Sequence, residues 1–199
     1  MESEMSEFRE QEGAFAGGKL KRGIVQVFWG NGRGKTTAAL GTALRACGNG
    51  LRVHLVQFMK KGASSVDDIP GEIKALAKFS NFSWARFGSG EWVTKKGAEA
   101  RQEDLREVKK ALEHVANALT KNFDVVIADE ILYAVQLGLL TEEDVLELID
   151  KKPDEKELIL TGSHVPLEKV FAKAELVTEI RKLKHPYDSG ILARKGIDY

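Results

Sequence analysis

Lys35 and Thr36 close a glycine-rich run, Gly30-Asn31-Gly32-Arg33-Gly34, that separates a short apolar segment from a stretch rich in alanine and leucine. Glycines at that density let backbone N–H groups turn toward a bound anion. A helix starting at the Lys-Thr-Thr end adds partial positive charge, Lys35 a full one, and the Thr36 hydroxyl a ligand for Mg²⁺. This is the chemistry of a phosphate loop spanning Gly30, Asn31, Gly32, Arg33, Gly34, Lys35, Thr36 and Thr37. The loop is a variant, because Trp29 stands where the usual first glycine would be. Lys35 is read as facing the ligand from the loop surface, where it adds little to stability.

The second signal is Val125-Val126-Ile127-Ala128-Asp129-Glu130, an apolar run ending in two carboxylates. Beside a phosphate loop, a carboxylate at the end of a strand holds Mg²⁺ directly or through water, which makes Thr36, Asp129 and Glu130 the candidate metal residues. Glu130 could equally serve as a general base for water attack, so loop and carboxylates together fit an ATPase or a kinase as well. Arg33 and Arg45 could add charge around a polyphosphate, although either alone reads as a surface cation. His54, His114, His164 and His185 are scattered and read as structural or surface residues. Trp84, Phe87 and Trp92 cluster around a loop spanning Gly88 to Gly97, where aromatic rings either cover a flat ligand or pack in the core.

The elements that position these groups follow from hydrophobic patterning. Ile24 to Trp29, Leu51 to Phe58, Phe82 to Phe87 and Phe123 to Ala128 are short apolar runs, the pattern of buried parallel strands. Leu158 to Leu160 and Leu176 to Ile180 complete a sheet of five or six strands. Thr36 to Cys47, Glu72 to Lys78, Ala98 to Thr120 and Ile131 to Leu137 read as helices. In the long third helix Leu105, Val108, Leu112, Val115 and Leu119 recur at steps of three and four and form one packing face. Thr141 with Asp144 opens a further helix through a capping box. Repeated strand–helix units predict an α/β fold with a mainly parallel central sheet flanked by helices.

The 199 residues and 43% hydrophobic content suit one globular domain, read as residues 19–199 preceded by a flexible arm at 1–18. Lys plus Arg and Asp plus Glu are 30 each, so no overall positive field draws the chain to nucleic acid. No apolar run reaches the roughly 20 residues that span a bilayer, and the acidic start is unlike a signal peptide, so a cytoplasmic location is expected. The single cysteine, Cys47, cannot form an internal disulfide and reads as a buried apolar residue.

Read together, Gly30-Asn31-Gly32-Arg33-Gly34-Lys35-Thr36-Thr37-Ala38-Ala39, Val56-Gln57-Phe58-Met59-Lys60, Val126-Ile127-Ala128-Asp129-Glu130, Leu160-Thr161-Gly162, and Lys184-His185-Pro186-Tyr187-Asp188-Ser189-Gly190 through Lys195-Gly196-Ile197-Asp198-Tyr199 occur in order. The set, running from about Gly23 to Tyr199, resembles the CobA/BtuR-type corrinoid adenosyltransferases, also described as cob(I)yrinic acid a,c-diamide adenosyltransferases. The resemblance implies a RecA-like phosphate-loop fold, usually a homodimer. It implies transfer of the 5′-deoxyadenosyl group of ATP to the Co(I) of a reduced corrinoid, with release of triphosphate, in adenosylcobalamin biosynthesis or salvage. It assigns Asn31 through Thr37 to the triphosphate, Lys35 and Arg33 to charge on the leaving group, Thr36 with Asp129 or Glu130 to Mg²⁺ (or Mn²⁺), and Arg45 to a further nucleotide contact. It places Trp92, with Phe87, beside a corrinoid whose lower ligand is displaced to ease reduction by an external donor such as a flavoprotein. The chain departs from many relatives at Gly90-Glu91-Trp92, a shorter loop, and at Ser163, where arginine is common. Two other readings remain: a small phosphate-loop kinase or ATPase, and a nucleotide-gated corrinoid carrier without chemistry.

Overall fold

The computed structural model describes residues 20–60, 69–89 and 98–198. Six parallel strands, β1 (Val25–Trp29), β2 (Val53–Phe58), β3 (Phe82–Phe87), β4 (Val125–Asp129), β5 (Glu157–Thr161) and β6 (Leu176–Glu179), form one sheet in the order β3-β2-β4-β5-β1-β6. The inner strands are apolar because helices cover both faces; β2, β4 and β5 are buried at every residue, whereas the edge strand β6 is mostly exposed. Strand β5 lies between the strand that leads into the glycine loop and the strand that ends in the carboxylates, which is the RecA-like arrangement.

Helices α1 (Lys35–Gly48) and α2 (Gly71–Leu76) cover one face, where Ala39, Leu40, Ala43, Ile73 and Leu76 meet Phe28, Leu55, Ile127 and Ile159. Helices α3 (Ala98–Thr120), α4 (Ile131–Gln136), α5 (Glu142–Asp150) and α6 (Glu168–Lys173) cover the other around Val27, Val56, Phe58 and Leu160. The α3 stripe packs as its spacing predicts: Val108, Val115 and Leu119 are buried and Leu105 and Leu112 lie against them. Thr141 and Asp144 make the expected reciprocal capping box on α5. Helix α6 escapes sequence reading because it has six residues and buries only Val170, too few for a periodic signal. Cys47 is buried in α1. The expected arm at 1–18 and the loop around Trp92 lie outside the described residues. Among the described residues no helix is long and apolar enough to cross a membrane.

Two of the scattered histidines form a pair. His54 on β2 is hydrogen-bonded through Nε2 to His114 Nε2 on α3 (2.9 Å) and through Nδ1 to Ser83 Oγ (2.7 Å), with Phe123 stacked on its ring at 4.7 Å. Two ring nitrogens this close share one proton. Burial, with His114 and Lys121 nearby, pushes His54 down from 6.5 to about 4. The unfolded chain therefore binds a proton between these values that the native chain refuses. The stabilisation is fully present above about pH 6.5 and is lost as pH falls toward 4. A shift of this size corresponds to roughly 3 kcal/mol. Urea unfolding at pH 7 and pH 4.5 is expected to show a clearly smaller acid-induced loss in His54→Leu than in the wild type; equal losses would place the acid-sensitive group elsewhere.

Candidate functional site

The site lies at the carboxyl ends of the strands, where open α/β sheets bind ligands. A cleft of about 990 Å³ is lined there by the loop and first turn of α1 (Gly32 to Thr37), by Gln57, Arg86, Asp129 and Glu130 from strand ends, and by a C-terminal segment from His185 to Asp198 that folds over it. Helix α1 begins at Gly34, whose φ of 120° favours glycine. No side chain caps this helix and its first turn carries no acidic residue, so the N–H groups there and the positive end of the helix dipole are left for an anion.

Lys35 departs from expectation. Its side chain is turned into the loop and only 9% of the residue is exposed, with Nζ donating to the carbonyls of Gly30 (2.7 Å) and Gly32 (2.9 Å). The lysine thus braces the loop as well as charging it. Burial lowers its pKa, opposed by the carboxylates of Glu130 and Asp129.

Gly30 and Gly32 are glycines for a reason beyond phosphate access. The chain leaving β6 crosses directly over them: a Cβ on Gly30 would lie 2.4 Å from the Ile180 carbonyl oxygen, and one on Gly32 would lie 2.7 Å from the Arg181 backbone. Gly30 N–H donates to Ser163 O and Gly32 N–H to Ile180 O, so neither N–H points to an incoming phosphate in this structure. Asn31 accepts from the Lys182 N–H at 2.8 Å and acts as a strut for the same crossing. Arg33 is likewise engaged: Nη1 is 2.6 Å from Asp198 Oδ1, and Nη2 donates to the Ile197 carbonyl. Among the described residues, the backbone N–H groups of Gly34, Thr36 and Thr37 make no such tie. Trp29, in place of the usual glycine, packs its ring on Phe171 at 5.0 Å, on the face away from α1.

The carboxylate side is organised around Asp129, which is 1% exposed. Its Oδ1 accepts from the Thr36 hydroxyl (2.8 Å) and the Thr161 hydroxyl (2.7 Å), and its Oδ2 from Gln57 Nε2 (2.9 Å). Thr36 and Asp129, two of the three candidate metal residues, are thus brought together by a direct hydrogen bond. Glu130 follows with a left-handed φ of 67°, its N–H donating to Thr161 Oγ1. Burial raises the pKa of Glu130, with Asp129 adding to the shift and Lys60 and Lys35 opposing it. Met59 (φ 56°) and Ser163 (φ 58°) share the left-handed conformation. The described non-glycine residues with positive φ thus all lie just beyond the ends of β2, β4 and β5, at the sheet edge that carries the cleft.

Arg45 is not brought to the cleft: it is exposed in the last turn of α1, about 15 Å along the axis from Lys35 at 1.5 Å per residue. Phe87 ends β3 with its ring 5.2 Å from that of His114, on the α3 side of the sheet and away from the cleft lining. Sequence reading gave no place in the site to Gln57, Lys60, Arg86, His164 or His185, all of which line the cleft, and took the two histidines as structural or surface residues. Gln57 alone had a local signal, as a polar residue at the end of an apolar strand. The two histidines arrive through chain segments whose return to the loop no local pattern announces. The ring of His164 lies 5.2 Å from that of Tyr133, and burial and the Lys35 charge lower its pKa.

Comparison with known proteins fits this geometry. The chain is 34% identical over 185 residues to the corrinoid adenosyltransferase of Escherichia coli strain K12, spanning 90% of this chain and 87% of that protein. The match to the corrinoid adenosyltransferase CobA of Salmonella typhimurium strain LT2 has the same identity and extent. Among solved structures, the RadB recombinase superimposes with a TM-score of 0.45 at 17% identity, covering 85% of this chain and 79% of that one. Residues 21–199, from just before β1 through the segment that closes over the loop, match the family described as ATP:corrinoid adenosyltransferase BtuR/CobO/CobP. With a family match over nearly the whole folded chain and relatives at 34% identity, the chain belongs to that family of ATP:corrinoid adenosyltransferases.

Proposed function

We propose that the cleft holds the triphosphate of ATP against the N-terminus of α1, and that the Co(I) of a reduced corrinoid attacks the 5′ carbon at its mouth. The Co–C bond forms with the cobalt electron pair, and the C5′–O5′ bond breaks with its pair leaving on the triphosphate. The chain need supply no nucleophile and activate no water. Its work is alignment and stabilisation of the departing charge, by Lys35, by the first-turn N–H groups of α1, and by Arg33 once it exchanges Asp198 for phosphate. The observation that carries the reading is the uncapped α1 terminus with Thr36 hydrogen-bonded to buried Asp129.

Among the described residues no cluster of three or more His, Cys, Asp or Glu could cage a metal ion. One hydroxyl and one carboxylate instead suit Mg²⁺ or Mn²⁺, ions held by few protein oxygens together with water and phosphate. The Thr36 hydroxyl can keep its proton on Asp129 and offer a lone pair outward. Bound there, the ion would neutralise triphosphate charge. We assign Trp92 to the lower face of the corrinoid, keep Phe87 as a second corrinoid-side aromatic, and leave Arg45 without a role inside one chain. The same reading carries a homodimer of single-domain subunits in the cytoplasm, and an external electron donor such as a flavoprotein.

Anaerobic incubation with ATP, Mg²⁺ and a chemically reduced corrinoid is expected to give the absorption change of Co–C bond formation and intact triphosphate by phosphorus NMR. Stoichiometric ADP without alkylated corrinoid would overturn the reading in favour of a kinase or ATPase. Unchanged ATP would point to a carrier.

A further inference from the structure

Gln57 is 3% exposed at the end of β2, within a strand that is otherwise apolar apart from His54. Its register partners are Asp129 on β4 and Arg86 on β3, so it belongs to the row of polar side chains that crosses the sheet beneath the cleft. The orientation of its amide follows from chemistry. A carboxylate only accepts hydrogen bonds, so Nε2 must be the atom 2.9 Å from Asp129 Oδ2, which leaves Oε1 on the other side. That Oε1 is buried and has no hydrogen-bond partner among the described residues. Buried polar groups are normally paired, and an acceptor left without a donor beside a ligand cleft calls for one that arrives with the ligand.

The missing donor cannot be a phosphate oxygen, because ionised phosphate only accepts. A hydroxyl, a water or an N–H group such as those of Arg86, the register neighbour on β3, can supply it. Next to Asp129 the water of a bound cation fits best, since coordination makes its hydrogens strong donors. Resting on the reading that Thr36 and Asp129 serve a divalent ion, we propose that Gln57 is a positioning residue of the metal–nucleotide site: Nε2 fixes the Asp129 carboxylate, and Oε1 accepts from a water carried by the ion. Partners one shell beyond the ligands orient the ligands, and their loss typically costs 10- to 100-fold in metal affinity.

The test is the gain in ATP affinity that Mg²⁺ confers, measured by calorimetry in Mg²⁺ and in EDTA with no corrinoid present. Gln57→Met keeps the volume and removes both the donor and the acceptor. It is expected to cut the Mg²⁺ gain about tenfold while metal-free ATP affinity stays within about twofold of wild type. Gln57→Asn keeps the amide but is one methylene too short to reach both partners, and should lie between the two; it also serves as the test variant if the methionine variant does not fold. Equal losses in both media would mean that Oε1 meets the nucleotide itself or that the residue only packs, and would overturn the proposal. So would an unchanged gain in Gln57→Met when Asp129→Ala abolishes it, with the metal reading left standing. A wild-type chain whose ATP affinity ignores Mg²⁺ would remove the metal reading and this inference together.

Discussion

Lys35→Ala is expected to lower adenosyl transfer by about 10³-fold at saturating ATP and reduced corrinoid, the scale seen when a preorganised group at developing charge is removed. The structure adds a second consequence. Because Nζ bridges the carbonyls of Gly30 and Gly32, its loss leaves two loop acceptors unpaired, and the fold should weaken by about 1–2 kcal/mol. Lys35→Arg separates charge from shape. A guanidinium keeps the charge, but its planar fork cannot take the place of a compact ammonium held between two carbonyls, so this variant should also fail. Turnover is read from Co–C bond absorption and stability from urea unfolding. Near-normal turnover in Lys35→Ala would remove the loop from the mechanism; full rescue by arginine would mean that charge alone matters.

That second consequence was not legible in the sequence, and the reason is physical. The strand, loop and first helix could be read because apolar runs, glycines and Lys-Thr-Thr are local signals with local causes. The carboxylates at the end of β4 could be read for the same reason. What holds the loop comes from far away. Asn31 is tied to a backbone N–H 151 residues on, and Arg33 to a carbonyl 164 residues on. No spacing rule foretells that the chain after β6 will cross Gly30 and Gly32, so two glycines that suit a turn are also made necessary by Ile180 and Arg181. Arg45 is the opposite case. Its distance follows from helix rise alone, and ten residues along α1 is too far to share a phosphate with Lys35 in the same chain. Gln57 falls between: its polarity at the end of a buried strand is a local signal that the sequence reading did not use, and only the pairing with Asp129 gives it a meaning.

The Asp129 variants should divide stability from activity. Asp129→Ala removes the acceptor of three donors, the hydroxyls of Thr36 and Thr161 and Gln57 Nε2, in a place water barely reaches. Stranding three donors is expected to cost about 3 kcal/mol or more. Asp129→Asn behaves differently, because Gln57 carries an unused acceptor. The new side-chain amide can keep its oxygen on the two threonines and turn its N–H₂ toward Gln57, which need only rotate its own amide so that Oε1 accepts. The Gln57 hydrogen bond is then restored in reversed sense and the two threonine bonds are kept, at a net cost of about 1 kcal/mol. The negative charge is not restored, and with it goes the attraction for a divalent ion beside Thr36, so turnover should drop by about 10²- to 10³-fold despite the near-native fold. Urea unfolding of both variants, with turnover measured across a Mg²⁺ titration, checks the two halves separately. Wild-type stability in Asp129→Ala would refute the hydrogen-bond accounting. Turnover within fivefold of wild type in Asp129→Asn, at unchanged Mg²⁺ dependence, would move the metal away from this carboxylate, leaving Glu130, whose pKa is raised by burial and then by the charge of its neighbour, as the remaining acidic ligand at the end of β4.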